Sequence, residues 1–315
     1  MELIRGLHNL RPRHLGCVAT IGAFDGVHHG HRAVLRHLLD KAEALSLPST
    51  VILFEPLPRE YLAPAAAPPR LMSFREKFSA LAELGIDRVL RVRFNEALRS
   101  MSAEDFIRRI FVDGLGARYI AVGDDLRFGR NREGDFALMQ AEGAKHGFEC
   151  MPTETLDLGG ERVSSTRIRE ALAAADFGLA EKLLGRPYSM SGKVVYGDQR
   201  GRLLGAPTAN VTLHRLRSPL MGVYVVEVTG AGGGVLPGVA NVGVRPTVGE
   251  QFRANLEVHL LDFKGELYGK RLKVVFRSKL RDEQKFESLE ALQAQIHEDI
   301  ARGRAYFKLD PVNDE

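Results

Sequence analysis

Cysteine is scarce in this sequence, which contains only Cys17 and Cys150 among 315 residues. The two cysteines do not form a CxxC pair, and no His/Cys cluster has the spacing of a zinc site. The sequence therefore indicates neither a disulfide framework nor a structural metal, and it fits a reducing compartment. Long apolar runs are also missing, as is an N-terminal basic stretch followed by an apolar segment. We therefore expect a cytoplasmic protein without a membrane partner.

Excess positive charge is small and confined to one part of the chain. The net charge of +4 lies within residues 186–315, because basic and acidic residues are equal in number before that point. The basic residues are scattered rather than grouped in blocks, so the charge suits a phosphorylated small ligand, and we expect no nucleic-acid partner. The sequence does not indicate an oligomeric state.

Two hydrophobic patterns follow one another along the chain. In residues 1–185, β-rich runs alternate with amphipathic helical stretches such as 32–45, which predicts a doubly wound parallel α/β domain. In residues 186–315, β-rich runs follow each other through Gly-rich turns, which predicts an antiparallel barrel or sandwich with a helix over 289–300. The predicted strands are 17–21, 50–54, 88–92 and 119–122 in the first domain, and 193–196, 223–228, 235–242, 256–263 and 272–276 in the second.

The most informative run is TIGAFDGVHHGH, from Thr20 to His31. It predicts a strand, a Gly-punctuated turn and the start of a helix, whose unpaired N–H groups and positive dipole form a natural site for ATP phosphates. His28 and His31 are three residues apart, so they share a face of the first helical turn. Their imidazoles can donate hydrogen bonds to oxygens that gain charge as pyrophosphate leaves. Taken alone, a histidine such as His28 is more often a surface or hydrogen-bonded histidine than a ligand-binding one.

A second run, SSTRIR, has the same logic. Ser164, Ser165 and Thr166 are hydroxyl residues at a predicted helix start, and Arg169 follows one turn later, where a guanidinium can grip phosphate bidentately. By itself such a run is usually only a helix cap. When a phosphate attacks the α-phosphate of ATP, the nucleophile is already anionic, so positioning and charge stabilisation suffice without a protein base.

Two common nucleotide motifs do not occur. The sequence has no GxGxxG dinucleotide fingerprint and no Walker A run of the form GxxxxGK[ST]. This argues against a hydride-transfer enzyme and against a P-loop kinase.

The second domain contains a glycine-interrupted β region. Gly197, Gly201 and Gly205 predict a loop that can lay backbone N–H groups against phosphate. Thr208 and Asn210 point to the same side of an extended segment, and two neutral oxygens together with ATP phosphates and water suit Mg²⁺. Positive charge is added nearby by Lys193, Arg200 and Arg202.

A carboxylate for base chemistry is also present there. Phosphorylating a neutral hydroxyl requires a group that accepts its proton. Glu257 stands alone among the apolar residues of LEVHLL and is the best candidate. The alternative is a solvent-facing position of an alternating strand. Asp262 and Glu266 are weaker rivals, since both lie toward a predicted turn.

These runs resemble the prokaryotic bifunctional riboflavin kinase/FAD synthetase family, whose first module is an HxGH nucleotidyltransferase. The similarity rests on Gly22–His31 and Ser164–Arg169, together with GAPTAN, ANVGVRPT, LEVHLLDF and LRDEQKFESL in the second domain. It extends over nearly the whole chain in the family's order. The resemblance implies a Rossmann-like α/β domain followed by a six-stranded antiparallel barrel with a terminal helix. It also implies phosphorylation of riboflavin to FMN in the second domain and adenylylation of FMN to FAD in the first.

The resemblance assigns roles to residues. It implies Glu257 as the base for the ribityl hydroxyl, Thr208 and Asn210 at the nucleotide-bound Mg²⁺, and FMN contacts from Pro56, Pro58 and Asp125. Leu126 stands where the family commonly has Phe. The segment from Phe54 to Pro58 can also be read as a strand end followed by a rigid loop. The full set of expected ligand-binding residues is Gly22, Phe24, Asp25, Gly26, Gly30, Phe54, Pro56, Pro58, Asp125, Ser164, Ser165, Thr166, Gly192, Lys193, Gly197, Gly201, Arg202, Gly205 and Pro207.

Two other interpretations stay open at this point. One is an adenylyltransferase for a different phosphorylated substrate, with the barrel as a binding domain. The other is an RNA- or flavin-binding protein without catalysis. The pairing of an isolated strand carboxylate with the Thr/Asn element argues against simple binding, which would not require it.

Overall fold

The computed structural model describes residues 1–123, 125–153, 156–197, 205–246 and 252–310. Two of the predicted ligand-binding residues, Gly201 and Arg202, lie outside the described residues, as does Arg200. The chain divides into two compact units, one of residues 1–68 and 77–164, and one of residues 69–76 and 165 onward.

The first unit is built on a six-stranded sheet in which every pairing is parallel. The order is β1-β4-β3-β2-β5-β6, which confirms the predicted α/β fold. Its central strand β2 is buried throughout, as expected for a parallel sheet covered on both faces. The strands are β1 Glu2–Arg5, β2 Cys17–Ile21, β3 Ser49–Glu55, β4 Arg88–Arg93, β5 Ala117–Gly123 and β6 Glu149–Thr153, and a separate two-stranded ribbon is formed by β7 Asp157–Leu158 and β8 Glu161–Arg162.

The strand order reverses between β2 and β5. From β2 the chain moves outward through β3 to β4, and β5 then returns to the other side of β2. In open α/β sheets, ligands bind at such a reversal, beyond the carboxyl ends of the strands. Ile21 at the end of β2 and the residues that follow it stand at this reversal. The helices of this region are α1 His29–Ala44, α2 Pro58–Leu62, α3 Phe74–Glu83, α4 Glu96–Arg99, α5 Ala103–Ile107 and α6 Phe136–His146.

The second unit contains a closed six-stranded barrel with antiparallel neighbours. Its order is β10-β13-β12-β11-β14-β9, which confirms the predicted barrel. Along β13, Leu256 and Val258 are buried and Glu257 is half-buried, so alternate residues face the interior and the outer surface. The strands are β9 Ser189–Val195, β10 Ala209–Thr212, β11 Gly222–Thr229, β12 Leu236–Pro246, β13 Phe252–Leu260 and β14 Arg271–Arg281.

Among its described residues, this unit contains the helices α7 Ser165–Ala173, α8 Phe177–Leu184 and the terminal α9 Leu289–Phe307, together with the first turn of α3. The Ser288 side chain caps α9 by accepting a hydrogen bond from the Ala291 N–H at 3.1 Å. The hydrophobic period changes at residue 185, whereas the compact unit changes at residue 164. These two positions lie at opposite ends of the α7–α8 pair. Each described helix is too short or too polar to span a bilayer.

Candidate active sites

The first candidate site is the loop that joins β2 to α1, which we call the Gly22–Val27 loop. Phe24, Gly26 and Val27 have φ values of 45°, 94° and 41°. Glycine tolerates the left-handed region, but a β-branched valine there is a genuine outlier. Phe24, Asp25 and Val27 are also buried. The surrounding structure must therefore hold this loop in a conformation that it would not adopt alone.

His28 is the N-cap of α1. Its Nδ1 accepts a hydrogen bond from the His31 N–H at 3.3 Å. Because Nδ1 is the acceptor, the neutral ring carries its proton on Nε2. The His28 and His31 rings stack with centroids 3.6 Å apart, which confirms that the two histidines share a face.

The electrostatic setting keeps His31 neutral. Burial lowers the pKa of His31 well below its ordinary value, and the nearby charges of His28 and Lys77 lower the pKa further. As a residue His31 is half-buried, but its Nδ1 is buried and has no hydrogen-bond partner among the described residues. A neutral imidazole here can donate one hydrogen bond to an incoming oxygen.

The predicted FMN loop follows β3. The side chain of Phe54 belongs to an aromatic cluster. Its ring centroid lies 5.9 Å from that of Phe94 and 6.3 Å from that of Phe106. Tyr61 extends the cluster at 5.5 Å from Phe94. Glu55–Pro56 is a cis peptide bond. The cluster offers flat apolar surface beside the loop.

The second predicted FMN segment follows β5. Asp125 is exposed and forms an ion pair with Arg162 of β8 at 3.5 Å. Leu126 is half-buried and packs on the same hydrophobic core as Phe54. Leu126 thus supplies apolar contact at a position where the family commonly has Phe.

The run from Ser164 to Arg169 lies at the start of a helix, as predicted. Helix α7 begins at Ser165. The Arg169 Nε donates to the Pro69 carbonyl at 2.6 Å, a contact within the second unit. Phosphate binding by these residues stays a prediction.

The second candidate site is a row of polar residues across three neighbouring barrel strands. Asn210 of β10 lies opposite Glu257 of β13, and Glu257 lies opposite Asn241 of β12. Directly opposed residues in antiparallel strands share a face. Because Leu256 and Val258 fill the interior, this row faces outward. Glu257 and Asn210 are therefore neighbours.

A cavity of about 400 Å³ opens on this outer face. Glu257 and Asn241 line it from the row, and Thr208 lines it from the segment before β10. The opposite wall is the apolar side of α9. That wall contributes Leu292, Ile296 and Ile300, and Arg281, Glu283, Gln284, Phe286 and Asp299 close the rim.

Asparagine side chains lie around Glu257: Asn241 lines the cavity, while Asn210 and Asn255 are neighbours of Glu257 by strand register and by hydrogen bond. The Asn255 amide donates to Glu257 Oε1 at 2.9 Å and so orients the carboxylate. The Oδ1 atoms of Asn210 and Asn241 are buried without a hydrogen-bond partner in the described part of the chain. Buried acceptors of this kind normally have a partner, and amide oxygens are ligands for hard cations. The donor set fits a magnesium ion held by a nucleotide.

Comparison with known proteins decides the family. A model described as FAD synthetase matches residues 10–167, and one described as riboflavin kinase matches residues 184–307. The bifunctional riboflavin kinase/FMN adenylyltransferase of Pseudomonas fluorescens is 56% identical over 305 residues, which is 97% of each chain. The Escherichia coli K12 protein of the same name is 52% identical over 98% of this chain and 99% of its own. The chain belongs to this bifunctional family.

A solved structure agrees over the full length. The crystal structure described as a macrolide-efflux protein from Streptococcus pneumoniae is 29% identical, with a TM-score of 0.73. It covers 96% of this chain and 99% of its own. The two family models and the curated relatives confirm the predicted family and the predicted assignment of the two modules.

The rival carboxylates of the kinase module are engaged elsewhere. Asp262 forms an ion pair with Arg304 at 2.6 Å, and Glu266 accepts a hydrogen bond from the Tyr268 N–H at 3.1 Å. Neither lines the cavity. This geometry favours Glu257 as the base.

Packing explains two of the glycines predicted to bind nucleotide. A Cβ at Gly197 would collide with the amide of Asn210, and a Cβ at Gly192 would collide with the Thr212 carbonyl. Gly205 has a φ of 74°, while Lys193 and Pro207 are exposed. The Pro207 carbonyl accepts a hydrogen bond from His259 Nδ1 at 2.9 Å, which places the proton of the neutral ring on Nδ1. Burial lowers the pKa of His259.

Several residues in these sites escaped the sequence interpretation. Asn241 and Asn255 become visible only through strand register. Lys77 was not selected from the sequence, yet its side chain is buried and its Nζ donates to the Ala23 carbonyl of the Gly22–Val27 loop at 2.5 Å. Its spacing gave a signal, because Lys77, Ala80 and Leu81 occupy one buried helical face.

Proposed function

We propose that this enzyme phosphorylates riboflavin to FMN within residues 184–307 and adenylylates FMN to FAD within residues 10–167, with ATP as co-substrate of both reactions. The second reaction releases pyrophosphate. The observation that carries the proposal is the placement of Glu257 between Asn210 and Asn241 at a cavity with one apolar wall. We propose the cytoplasm as the place of both reactions, since each consumes ATP.

In the kinase module the attacking group is a neutral ribityl hydroxyl. As its oxygen bonds to the γ-phosphorus of ATP, the proton passes to the Glu257 carboxylate, and ADP leaves. Asn255 holds that carboxylate in one orientation. The apolar side of α9 suits the flat flavin ring.

Magnesium would be held in this module by Thr208 and Asn210. When bound, it neutralises phosphate charge and orients the transferred group. The buried Oδ1 of Asn210, which has no hydrogen-bond partner among the described residues, supports this assignment. An Asn210→Ala variant is expected to need more magnesium for half-maximal FMN formation, while its riboflavin KM changes little.

In the adenylyltransferase module the attacking group is the FMN phosphate. Its oxygen bonds to the α-phosphorus, and the bond to the pyrophosphate oxygen breaks. The nucleophile needs no base, so hydrogen-bond donors that stabilise charge on the leaving group are sufficient. His28 through Nε2–H, neutral His31 and the N-terminal N–H groups of α1 would provide them. Arg169 and the hydroxyl residues at the start of α7 stay predictions as further phosphate ligands.

The direct test is a product assay. Purified protein incubated with riboflavin, ATP and Mg²⁺ should yield FMN and then FAD by chromatography. FMN without FAD would remove the adenylyltransferase part. Absence of both products in a folded, flavin-binding protein would instead support the interpretation of binding without catalysis.

A further inference from the structure

Lys77 is a buried cation outside the predicted motifs. It lies on α3, and its residue exposure is 1%. Removing an ammonium group from water costs several kcal/mol unless partners compensate. A lysine in such a place therefore needs a reason, and the reason lies in what it touches.

Its Nζ donates to the Ala23 carbonyl at 2.5 Å. Ala23 immediately precedes Phe24, the first residue of the Gly22–Val27 loop with a left-handed backbone, and Val27 is the last. A hydrogen bond from a charged donor is about twice as strong as a neutral one. Lys77 thus fixes the carbonyl at the point where the backbone enters its strained course.

Lys77 also acts on the histidine pair. Its positive charge is close enough to help lower the pKa of His31. The same charge favours an anion at the α1 N-terminus, because buried charges are screened little by water. The hydrogen bond to Ala23 and the positive charge of Lys77 both act at the loop to which the proposed function assigns ATP binding.

We propose that Lys77 is a positioning residue for adenylyl transfer, which holds the Gly22–Val27 loop in its phosphate-binding shape and adds positive charge behind it. This inference rests on the proposed function of that loop. Lys77 acts through the loop backbone and the histidines. Its removal should therefore lower kcat for FAD formation and leave FMN formation intact.

The experiment compares Lys77→Met, Lys77→Arg and the matched control Arg75→Met, which alters an exposed cation of the same helix. FMN formation and FMN-to-FAD conversion are measured on each protein. Lys77→Met should lose about 100-fold in kcat for FAD, the cost of a misplaced reactive geometry. Lys77→Arg should recover at least part of that loss, and Arg75→Met should match wild type in both reactions.

The outcomes separate the inference from the function on which it rests. Wild-type protein that makes no FAD would sink the proposed function. Wild-type protein that makes FAD, with Lys77→Met retaining its kcat and ATP KM within twofold, would overturn the role of Lys77. Equal loss of FMN and FAD formation in Lys77→Met, with no recovery in Lys77→Arg, would show a purely structural lysine.

A second measurement covers the case in which Lys77→Met does not fold. In Lys77→Gln, NMR titration should show the pKa of His31 raised toward its ordinary value, since one of the two charges acting on the ring is lost and only His28 and burial remain. Full FAD formation with an unchanged His31 titration in Lys77→Gln would contradict the proposal.

Discussion

The two candidate sites are built from opposite kinds of group. The start of α1 presents stacked imidazoles and backbone N–H donors, whereas the barrel face presents the Glu257 carboxylate between the amide oxygens of Asn210 and Asn241. Donors suit charge that develops on a leaving phosphate, and acceptors suit a departing proton and a cation. The proposed reactions share ATP but differ in the charge of the nucleophile. The comparison teaches that the type of side chain at each site depends on the charge of the attacking group, and not on the nucleotide that both reactions share.

The sharpest test of this contrast is Glu257→Gln. The amide cannot accept the hydroxyl proton, so kcat for FMN formation should fall by about 10³-fold. Conversion of FMN to FAD should stay at the wild-type rate, because that nucleophile is already anionic. Both rates are read by chromatography. Asp262→Asn, which alters the rival carboxylate paired with Arg304, serves as the control and should change FMN formation less than twofold. Loss of both activities in folded Glu257→Gln would break the division.

The reciprocal change is the double variant His28→Ala/His31→Ala. It removes two hydrogen-bond donors, so FAD formation should fall by about 100-fold or more. FMN formation should be unaffected. The control is His29→Ala, which alters the exposed neighbour between them. A double variant that still makes FAD at a tenth of the wild-type rate would exclude the pair from catalysis.

A smaller effect is expected from Gly197→Ala. The added methyl group would push against the Asn210 amide, and overpacking of this kind costs about 1–3 kcal/mol. We expect an approximately tenfold higher ATP KM for FMN formation and an unchanged FAD reaction. Gly178→Ala, at a helical glycine where an added Cβ would meet its nearest neighbour at an ordinary 3.6 Å, is the matched control for stability. Wild-type kinetics for Gly197→Ala would show that the ATP KM for FMN formation does not depend on the position of the Asn210 amide.

The smallest effect is a pH dependence of stability at the histidine pair. The pKa of His31 is lowered on folding, so below about pH 6.5 the unfolded chain binds a proton that the folded chain does not. The free energy of unfolding should therefore fall as pH drops, by at most about 1.4 kcal/mol per pH unit. Urea denaturation of wild type and His31→Gln between pH 7.5 and 5.5 measures it. The two proteins should converge at low pH, and parallel curves would contradict a neutral His31.

The local features of both sites could be predicted from the sequence. Motif spacing predicted the loop before α1 and the shared face of His28 and His31, and alternation in LEVHLL singled out Glu257. The start of α1 at His29 agrees with the helix start predicted at the His28–His31 turn, whereas the end of α9 was placed too early, since α9 continues to Phe307 beyond the predicted 300. Strands β1, β6 and β10 and the β7–β8 ribbon were missed. At two to five residues each strand shows few alternating positions, so its period is weak.

What escaped prediction depends on long-range contact. Strand register decides that Asn241 lies opposite Glu257, and register is set by the packing of the whole barrel. The contact between Lys77 and Ala23 joins residues 54 positions apart. A buried lysine also contradicts the usual preference of that residue for water, so its sequence alone gave little reason to select it.

The cap of α1 has one last consequence. The Nδ1 atom of His28 accepts a hydrogen bond from the His31 N–H, a group that has no partner within the helix. The His28 ring therefore stabilises the start of α1 in addition to its proposed role toward the ligand. Protonation at that nitrogen would take the acceptor away and loosen the first turn from which the phosphate-facing N–H groups project. The phosphate-binding shape of the helix start therefore depends on a neutral Nδ1 as well as on the donors that face the ligand. A His28→Asn variant, which retains a capping oxygen but lacks the imidazole, separates the capping role of His28 from its proposed role as a hydrogen-bond donor to the ligand.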